Sequence, residues 1–538
     1  MDDTLGVKEE IRVIAAARPK KFDGKDIQLA LFMPVIGFLY WHWIGFSALG
    51  LSATCFVLLF CLSAGLYMRQ SGFSQTKQNI PYLILTLVSS LQFFLFDNGF
   101  LKFLNLLFVS LLAVYWICVT TKRRLEGHLS AYILWDLILQ FIFIPFANFT
   151  CQFFGFKQIG MKSQRGKNIF MSVLGLFFFA PILIWVIQLL MDADAVFEML
   201  IGKMSFSLSN HFLNYAIKFL FGIPVSCYLY GLFYGNATGR YAEETSLESV
   251  QKSIAAFQFA PSAAIFTAMT ALNAIYLLFF FSQGVYLLSA FDNVLPHSMT
   301  YAEYARRGFF ELCTVSGINL VTIAAAYLIM KRDDSEQSKE PKDDSGQSKE
   351  LKKEEVKKLG KSNWGLKLET SILSILTLLL IATGISKMVM YIHYYGLTVL
   401  RVYTTWFMLL LFVFFCIILV RQFVNFRAGK AMVISFIVCF MILAYGNVDG
   451  QITKYNIERY EQGTLEHLDI KSLYRLSAAS VPYLHDLYLE TDNQTLKWKI
   501  KKILINQPWD DSEYDGLTLQ NYNYQSDRAQ KMIKELGL

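Results

Sequence analysis

Long apolar runs alternate with short polar loops along most of the chain. A helix that crosses a bilayer needs about 20 mostly apolar residues. The runs that meet this length are residues 27–46, 48–68, 80–96, 100–119, 168–190, 211–234, 262–290, 303–330, 370–391, 401–420 and 430–447. The pattern therefore predicts an all-α polytopic integral membrane protein with about eleven crossings, because a helix satisfies its own backbone hydrogen bonds in lipid.

One further apolar stretch, residues 130–155, does not fit a simple crossing. Pro145 interrupts it, and Asp136 lies in its first half. The loops on both sides of it, residues 122–124 and 157–167, are equally basic. Basic loops stay in the cytoplasm, so a single crossing here would place one of them outside. We therefore predict a re-entrant segment that enters and leaves the membrane on the same side.

The charged residues collect between the apolar runs and divide the chain into parts. The predicted parts are a cytoplasmic basic N-terminus (1–26), a front transmembrane bundle with the re-entrant segment (27–330), a disordered charged linker (331–368), a rear three-helix transmembrane group (369–447) and an extracytoplasmic helical domain (448–538). The linker contains two nearly identical mixed-charge octapeptides, 333–340 and 343–350, and too few apolar residues to form a core.

Composition supports the membrane assignment and removes one class of partner. Of the 538 residues, 54% are apolar and only 17% are charged, whereas soluble domains carry about 25% charged residues. The net charge of +7 lies in loops that can contact anionic headgroups. No basic stripe belongs to a soluble module, so we expect a bilayer and not a nucleic acid as the partner.

Motifs for common cofactors and reactions are missing from the sequence. The seven histidines are scattered, and the eight cysteines lie in apolar segments without a Cys-x-x-Cys pair. The phosphate-binding loop, the nucleophile elbow of serine hydrolases and the His-Glu-x-x-His zinc motif are all absent. The sequence therefore predicts no metal, no cofactor and no catalytic residue set.

The most informative charged run is residues 301–311, Tyr-Ala-Glu-Tyr-Ala-Arg-Arg-Gly-Phe-Phe-Glu. If this run is helical, Arg307 has Glu303 four residues before it and Glu311 four residues after it, on one face. Charge that enters a membrane is costly unless it is paired or lines a wet cavity. The run is therefore expected to be either a structural clasp or a site.

Several other charged positions share the predicted outer face with this run. The candidate ligand or ion-pair cluster consists of Asp192, Asp194, Glu303, Arg306, Arg307, Glu311, Lys387 and Arg401. Its cations would attract an anion to a cleft between bundles. Its acids could equally neutralise those cations in an ion-paired clasp that links the bundles and the C-terminal domain. Both interpretations stay open on the sequence.

Six short motifs together resemble a known family. They are residues 191–197 (Met-Asp-Ala-Asp-Ala-Val-Phe), 301–311, 386–391 (Ser-Lys-Met-Val-Met-Tyr), 395–398 with Arg401, 447–450 (Asn-Val-Asp-Gly) with Arg459 and Tyr460, and 522–528. This combination resembles a bacterial multi-pass membrane family called domain of unknown function 4173, with domain of unknown function 4153 as its neighbour. The resemblance covers roughly residues 180–538. It implies many membrane helices, a C-terminal extramembrane part and a bacterial cell membrane, but no activity.

Three classes of function are compatible with these observations. The first is a non-enzymatic envelope sensor, regulator or assembly factor that binds a partner or ligand at its outer face. The second is a transporter or lipid-handling protein with an anion-attracting cleft. The third is a membrane transferase that uses Asp192 and Asp194 on a lipid-linked substrate. The expected partners are the bilayer and either an envelope protein or an anionic lipid-linked ligand.

Overall fold

Helices make up the regular structure of the chain. The structure is a computed structural model that describes residues 22–45, 47–130, 132–160, 210–241, 246–291, 308–331, 348–505 and 518–537, with scattered positions between 168 and 197. Within these residues there is no β-strand, and one isolated bridge pairs Ala260 with Met330. The predicted all-α class is confirmed.

Ten segments of the described chain are long and apolar enough to cross a membrane, and Ile80–Leu95 is a shorter apolar helix. The helices up to residue 445 are α1 (Gly24–Tyr40, continued as a π-helix over Trp41–Gly45), α2 (Leu51–Gln70), α3 (Ile80–Leu95), α4 (Gly99–Thr120), α5 (Ile133–Ile138), α6 (Ile144–Ala147), α7 (Cys151–Gly160), α8 (Asn210–Thr238), α9 (Leu247–Ala256), α10 (Ser262–Phe291), α11 (Phe309–Ile329), α12 (Ser348–Tyr395), α13 (Val399–Phe423) and α14 (Ala428–Tyr445). Every predicted crossing overlaps one of these helices, except 168–190, which lies mostly outside the described residues. The chain is a multi-pass membrane protein.

Hydrogen bonds between the ends of the helices define two ends of the bundle. We call the end that carries the C-terminal domain the domain end, and the other the far end. Tyr67, near the end of α2, donates to Asp26 at the start of α1 at 2.8 Å. Tyr230 of α8 donates to the carbonyl of Asp26 at 3.4 Å. The start of α1 and the C-terminal parts of α2 and α8 therefore meet toward the far end.

The helices of the N-terminal half share one hydrophobic core. It is built by α1, α2, α3, α4, α7 and α8 around fully buried side chains such as Trp116 and Phe233. The backbones of α1 and α8 touch where a Cβ on Gly37 would lie 2.1 Å from the carbonyl oxygen of Gly222. Small residues allow such close approach between membrane helices, where packing rather than hydrophobicity drives association.

A second core joins α10 and α11 to the rear helices. Its buried residues come from α10, α11, α12 and α13, and include Phe309, Leu373 and Phe415. The division of the sequence at the charged linker placed α10 and α11 in the front bundle. In the structure, the buried side chains of α10 and α11 pack on α12 and α13. The last membrane helix, α14, links the two groups, since Phe440 packs against Phe108 of α4 with ring centroids 4.5 Å apart and the rings tilted by 49°.

Part of the predicted disordered linker is helical. Helix α12 begins at residue 348 and continues for 48 residues through Tyr395. Residues 348–368, assigned to the linker from their charge, therefore extend the membrane helix that follows them. Low apolar content argues against a separate core, but it does not prevent propagation of an existing helix, which adds one hydrogen bond per residue. Residues 332–347 lie outside the described chain.

Residues 133–158 form a broken helical segment whose two ends lie at the far end. Asp136 Oδ1 accepts a 3.0 Å hydrogen bond from the amide of Leu125, just beyond α4. Gln158 exchanges hydrogen bonds of 3.1 and 3.0 Å with the backbone of Phe22, just before α1. The segment is long enough to cross a membrane, yet these contacts are those expected of a re-entrant segment.

The C-terminal part of the chain folds into a small helical domain at the domain end. Its helices are α15 (Val448–Glu461), α16 (Ile470–Leu473), α17 (Val481–Glu490), α18 (Gln494–Ile505) and α19 (Tyr524–Glu535). Aliphatic side chains such as Leu473, Leu484 and Ile500 are fully buried in its core. The predicted C-terminal helical domain is therefore present, and α15 follows the membrane helix α14 after two residues.

Candidate functional site

The run that sequence reasoning placed on one helical face is interrupted. Glu303, Arg306 and Arg307 lie outside the described residues, and α11 begins only after Gly308. Gly308 has a φ of +93°, in the left-handed region that glycine tolerates. A left-handed residue ends the α-helical path, so α11 starts at Phe309 and does not continue back through Gly308. The part of the predicted stripe before Gly308 lies outside the described residues.

Two members of the predicted cluster, Glu311 and Lys387, do come together. Glu311 lies in the first turn of α11, and its carboxylate interacts electrostatically with the ammonium of Lys387 on α12. The Nζ of Lys387 also lies close to Gly308, 3.4 Å from where a Cβ would be. Lys387 is half-buried and Glu311 is exposed. This pair links α11 to α12 near the domain end.

Arg401 forms hydrogen bonds with carbonyl groups at the C-terminal end of α12. Its Nη1 donates to the carbonyl of Tyr395 at 3.0 Å and also to the carbonyl of Gly396. Its guanidinium lies 3.9 Å above the ring of Tyr391. The last carbonyls of a helix have no partner within the helix, so Arg401 satisfies those of α12 and complements its dipole. Arg401 was expected to attract an anion to the predicted cleft, but these contacts already engage its guanidinium.

Asp192 and Asp194 are both exposed at the end of a helical stretch. Residues 189–193 are helical, and the amide of Asp194 donates to the carbonyl of Leu190 at 3.1 Å. No group of three or more histidine, cysteine or acidic side chains in the described residues could hold a metal ion.

A polar cluster joins the loop between α3 and α4 to the C-terminal domain. We call it the clasp, and its residues are Asp97, Asn98, Lys102, Asp449, Ser477, Asn523 and Gln525. Asp97 accepts hydrogen bonds from Asn523 Nδ2 at 2.9 Å and from the amide of Ala478 at 3.2 Å. The amide of Asp97 donates to Gln525 Oε1 at 3.0 Å. One membrane loop thus bonds two separate parts of the C-terminal domain.

Asn98 and Asp449 form the centre of the clasp. Asn98 caps α4, because its Oδ1 accepts from the amide of Leu101 at 2.9 Å. Its Nδ2 donates to Asp449 Oδ2 at 2.8 Å, and the amide of Ser477 donates to the same oxygen at 3.1 Å. Asp449 is only 3% exposed, and its Oδ1 is buried without a partner in the described chain. Burial raises the pKa of this carboxyl.

A buried lysine balances part of this negative charge. Lys102 is 3% exposed, and its Nζ lies 3.6 Å from Asp97 Oδ1 and 3.3 Å from the carbonyl of Ala48. Removing one partner of a buried ion pair leaves an uncompensated charge, which costs about 3–5 kcal/mol. Lys102 therefore fixes the position of Asp97, which in turn accepts the donors from the C-terminal domain.

Helix α15, which carries Asp449, also forms hydrogen bonds to the turn between the rear helices α12 and α13. Asn456 pairs with the backbone of Leu397 in both directions, accepting at 2.7 Å and donating at 2.8 Å. Arg459 donates to the carbonyl of His393 at 2.7 Å and to the carbonyl of Thr464 at 2.9 Å. The structure thus brings together two of the sequence motifs, residues 395–398 with Arg401 and residues 447–450 with Arg459. Their connection is made by hydrogen bonds between side chains of α15 and the backbone of the last turn of α12 and of the turn that follows it.

A third contact runs along the start of α2. The amides of Gly50, Leu51 and Ser52 donate to carbonyls of residues 519–522 at 2.8–3.0 Å. The first amides of a helix have no partner within the helix, so the C-terminal domain satisfies those of α2. Gln520 Nε2 adds a 3.1 Å hydrogen bond to the carbonyl of His42.

Sequence reasoning missed the membrane half of the clasp. It singled out residues 447–450, Arg459 and 522–528 as motifs, but not Asp97, Asn98 or Lys102. One signal was available, since Lys102 lies inside the predicted crossing 100–119 and a lysine there needs a partner. Which partner it meets is not readable from the sequence. The clasp encloses a cavity of about 10 Å³ between Asn98, Asp449 and Gln525, close to the volume that one water needs.

Comparison with known proteins identifies a family and no activity. The family described as a domain of unknown function (DUF4153) matches residues 83–339 and 355–487, which is most of the chain. This is the neighbour named in the sequence resemblance, and the resemblance to family 4173 itself is not confirmed. No curated protein and no solved structure matches the chain.

Proposed function

The chain belongs to the family described as a domain of unknown function (DUF4153), and from this premise we propose that it is a non-enzymatic envelope sensor, regulator or assembly factor. In this proposal the C-terminal domain binds a partner or ligand at the outer face, and the clasp passes the effect to the membrane helices. The proposal rests on the contacts of α15. Its Asp449 accepts a hydrogen bond from Asn98 in the loop before α4, and its Asn456 accepts one from the amide of Leu397 in the turn between α12 and α13.

The contacts of α15 supply a physical reason for such coupling. Breaking a buried hydrogen bond costs about 1–3 kcal/mol when it leaves a polar group without a partner. Movement of α15 must therefore either carry Asn98 and Leu397 with it or break several such bonds together. A ligand that favours one position of the domain shifts both helix groups, by as much as its affinity differs between the two positions.

Orientation of the protein follows from the distribution of basic residues. The basic residues that the structure places at the far end include Lys122, Arg123, Arg124, Arg240, Lys331, Arg421 and Arg427. Three short loops at the domain end, 46–50, 96–98 and 396–398, contain no lysine or arginine. Basic loops stay in the cytoplasm, so we propose a cytoplasmic N-terminus and an extracytoplasmic C-terminal domain.

Helix α18 offers a surface for a partner away from the clasp. Its inner face is buried by Leu496, Ile500, Ile503 and Leu504. Its outer face carries Trp498 at 62% exposure and Ile505 at 45%, with Lys502 between them on the same stripe. Lys502 lies 5.5 Å from the ring centroid of Trp498. Tryptophan is enriched among the residues that anchor protein interfaces, and the neighbouring lysine favours an anionic partner.

Site-specific photo-crosslinking in living cells tests this proposal. A photoreactive residue replaces Lys501, an exposed position beside Trp498, in one variant and Lys454, an exposed position of α15, in a control variant. We expect a discrete adduct from position 501 that is lost with Lys502→Glu, and none from position 454. A protein adduct identifies an envelope partner, and a lipid-linked adduct identifies an anionic ligand. Identical labelling at both positions, unaffected by Lys502→Glu, would contradict the proposal.

A transporter remains the second candidate, because one observation favours it. Segments that start and end on one side of the bundle, such as Ile133–Gln158, are used in membrane proteins to line pathways. The purified chain in liposomes should then show ion- or substrate-dependent flux, whereas a sensor or assembly factor should show none. This assay separates the two candidates independently of the crosslinking result.

A further inference from the structure

Asp136 lies where the 133–158 segment enters the bundle from the far end. The chain is α-helical over α5, π-helical over Leu139–Phe143 and α-helical again over α6. Single π-helical turns widen a helix and are frequent at functional sites. Irregular backbone at membrane depth is tolerated only where protein or a wet cavity covers it. The segment therefore has a geometry suited to forming a site.

Four buried polar atoms near α5 lack a hydrogen-bond partner among the described residues. They are Oδ2 of Asp136, Oε1 of Gln140, the hydroxyl of Tyr115 and Nε of Arg124. Asp136, Gln140 and Tyr115 are 2%, 2% and 3% exposed. Electrostatic interactions connect Tyr115, Arg124 and Asp136 to one another. Each such atom costs about 1–3 kcal/mol if it stays unpaired. A bound ligand that pairs with these atoms would therefore stabilise the folded chain.

The chemistry of the three unpaired oxygen atoms favours a positive ligand. Asp136 Oδ1 is engaged by the amide of Leu125 at 3.0 Å, which leaves Oδ2 as a free acceptor in a buried position. Gln140 offers a second acceptor, and Tyr115 offers a hydroxyl oxygen. Hard oxygen atoms of this kind are the ligands of alkali and alkaline-earth ions. A buried membrane carboxylate is also the usual acceptor in proton relays.

We propose that Asp136, Gln140 and Tyr115 form a binding site for one small cation, a proton or an alkali ion, at the far end of the bundle. The cation binds Asp136 Oδ2 and neutralises a carboxylate that otherwise stays charged in a buried place. This site is separate from the clasp and from the partner surface of α18. It does not depend on the proposed function of the C-terminal domain.

Other charged and titratable groups surround the site. Those that interact with Asp136, or with side chains beside it, are Tyr82, Tyr115, Cys118, Arg123, Arg124 and Glu126. Arg124 attracts the carboxylate and Glu126 repels it. Arg124 and a bound cation therefore compete for the same negative charge. Loss of Arg124 should strengthen cation binding, and loss of Asp136 should abolish it.

Infrared difference spectroscopy on the full chain in neutral lipid nanodiscs tests the site directly. A step between about pH 4 and about pH 9 reports protonated carboxyl groups through their carbonyl stretch. We expect a band in the wild type that disappears in Asp136→Asn. With Arg124→Gln we expect proton binding to become about tenfold tighter, the usual effect of removing a nearby opposite charge. Repeating the step in sodium or potassium chloride, with choline chloride as the reference salt, identifies the ion.

A matched control comes from Asp26, a second buried carboxyl group near the far end. Asp26 is 4% exposed, but both of its oxygens are bonded, one to the hydroxyl of Tyr67 and the other to the amide of Asp23. Asp26→Asn should leave the band in place. An alkali salt that shifts the titration shows an alkali ion in the site, and no shift shows a proton alone.

Two results would overturn the cation site. One is a band that stays unchanged in Asp136→Asn, since it would then arise from another group. The other is a wild-type spectrum without any change that depends on pH, sodium or potassium, together with no effect of Arg124→Gln. Because Arg124→Gln leaves the carboxylate in place, the test holds even if Asp136→Asn fails to fold.

Discussion

At the residue scale, Asp449 shows how burial changes the behaviour of an acid. Burial raises the pKa of its carboxyl, the hydrogen bonds from Ser477 and Asn98 lower it, and the nearby Asp97 carboxylate raises it. The net direction is upward from the ordinary value of 3.8. The charged form is therefore less stable in the docked domain than in water. Lys102 compensates Asp97 but makes no described bond to Asp449.

The sign of this shift predicts tighter docking of the C-terminal domain in acid. The stabilising contribution is complete below the ordinary carboxyl pKa and is lost as pH rises through the raised folded-state pKa. Asp449→Asn should therefore reduce the loss of thermal stability between about pH 4 and about pH 8. Melting curves at several pH values check this, with Asp486→Asn as the control because the Asp486 side chain is 67% exposed. An unchanged slope in Asp449→Asn would exclude the clasp as its source.

At the element scale, the backbones of α1 and α8 approach each other closely in the front core. Gly37 and Gly222 face each other there, and a Cβ on Gly222 would lie 2.7 Å from the backbone of α1. Membrane helices associate through such packing because lipid is as apolar as their side chains. The position of α8 matters for the 133–158 segment, since α6 and α7 both pack on α8.

Gly222→Ala should separate α1 from α8 and destabilise the protein. Inserting a methyl group into a well-packed contact costs about 1–3 kcal/mol. Gly317→Ala in α11 is the control, because nothing lies within 4 Å of the added Cβ there and alanine favours a helix over glycine. Thermal unfolding in detergent measures both. Equal melting temperatures for the two variants would show that the contact between α1 and α8 is looser than described.

At the scale of the whole molecule, charge separates the two ends of the bundle. Basic residues that follow α4, α8, α11 and α13 all lie at the far end, and the C-terminal domain covers the other end. Both ends of the 133–158 segment also lie at the far end. If the basic loops all lie in the cytoplasm, as we propose, the segment does not cross the membrane.

Compartment reporters test this arrangement in cells. We expect reporters placed after Lys162 and within residues 335–350 to indicate the cytoplasm, and one at the C-terminus to indicate the outside. Positive-inside orientation is the reason. A cytoplasmic signal from the C-terminus would mean that Ile133–Gln158 crosses the membrane. The C-terminal domain would then face the cytoplasm, and the proposal of an outer-face partner would fail.

The sequence predicted the spans far better than the site. Ten of the predicted crossings contain a described helix, because a bilayer demands length and apolar character within each span. Of the predicted charged cluster, Glu311 and Lys387 meet, Arg401 satisfies carbonyls of its own helix end, and Asp192 and Asp194 lie at a separate helix end. Helical spacing alone did not reveal the left-handed Gly308 that interrupts the run.

The sequence by itself determined the membrane class, the helices and the segregation of charge, since hydropathy and length act locally. Only the tertiary structure decided that Asn98 meets Asp449 and Asp97 meets Asn523, across more than 300 intervening positions. It also decided that α10 and α11 pack with the rear helices. The physical reason is that such pairs depend on the order and rotation of whole helices, which no local pattern records.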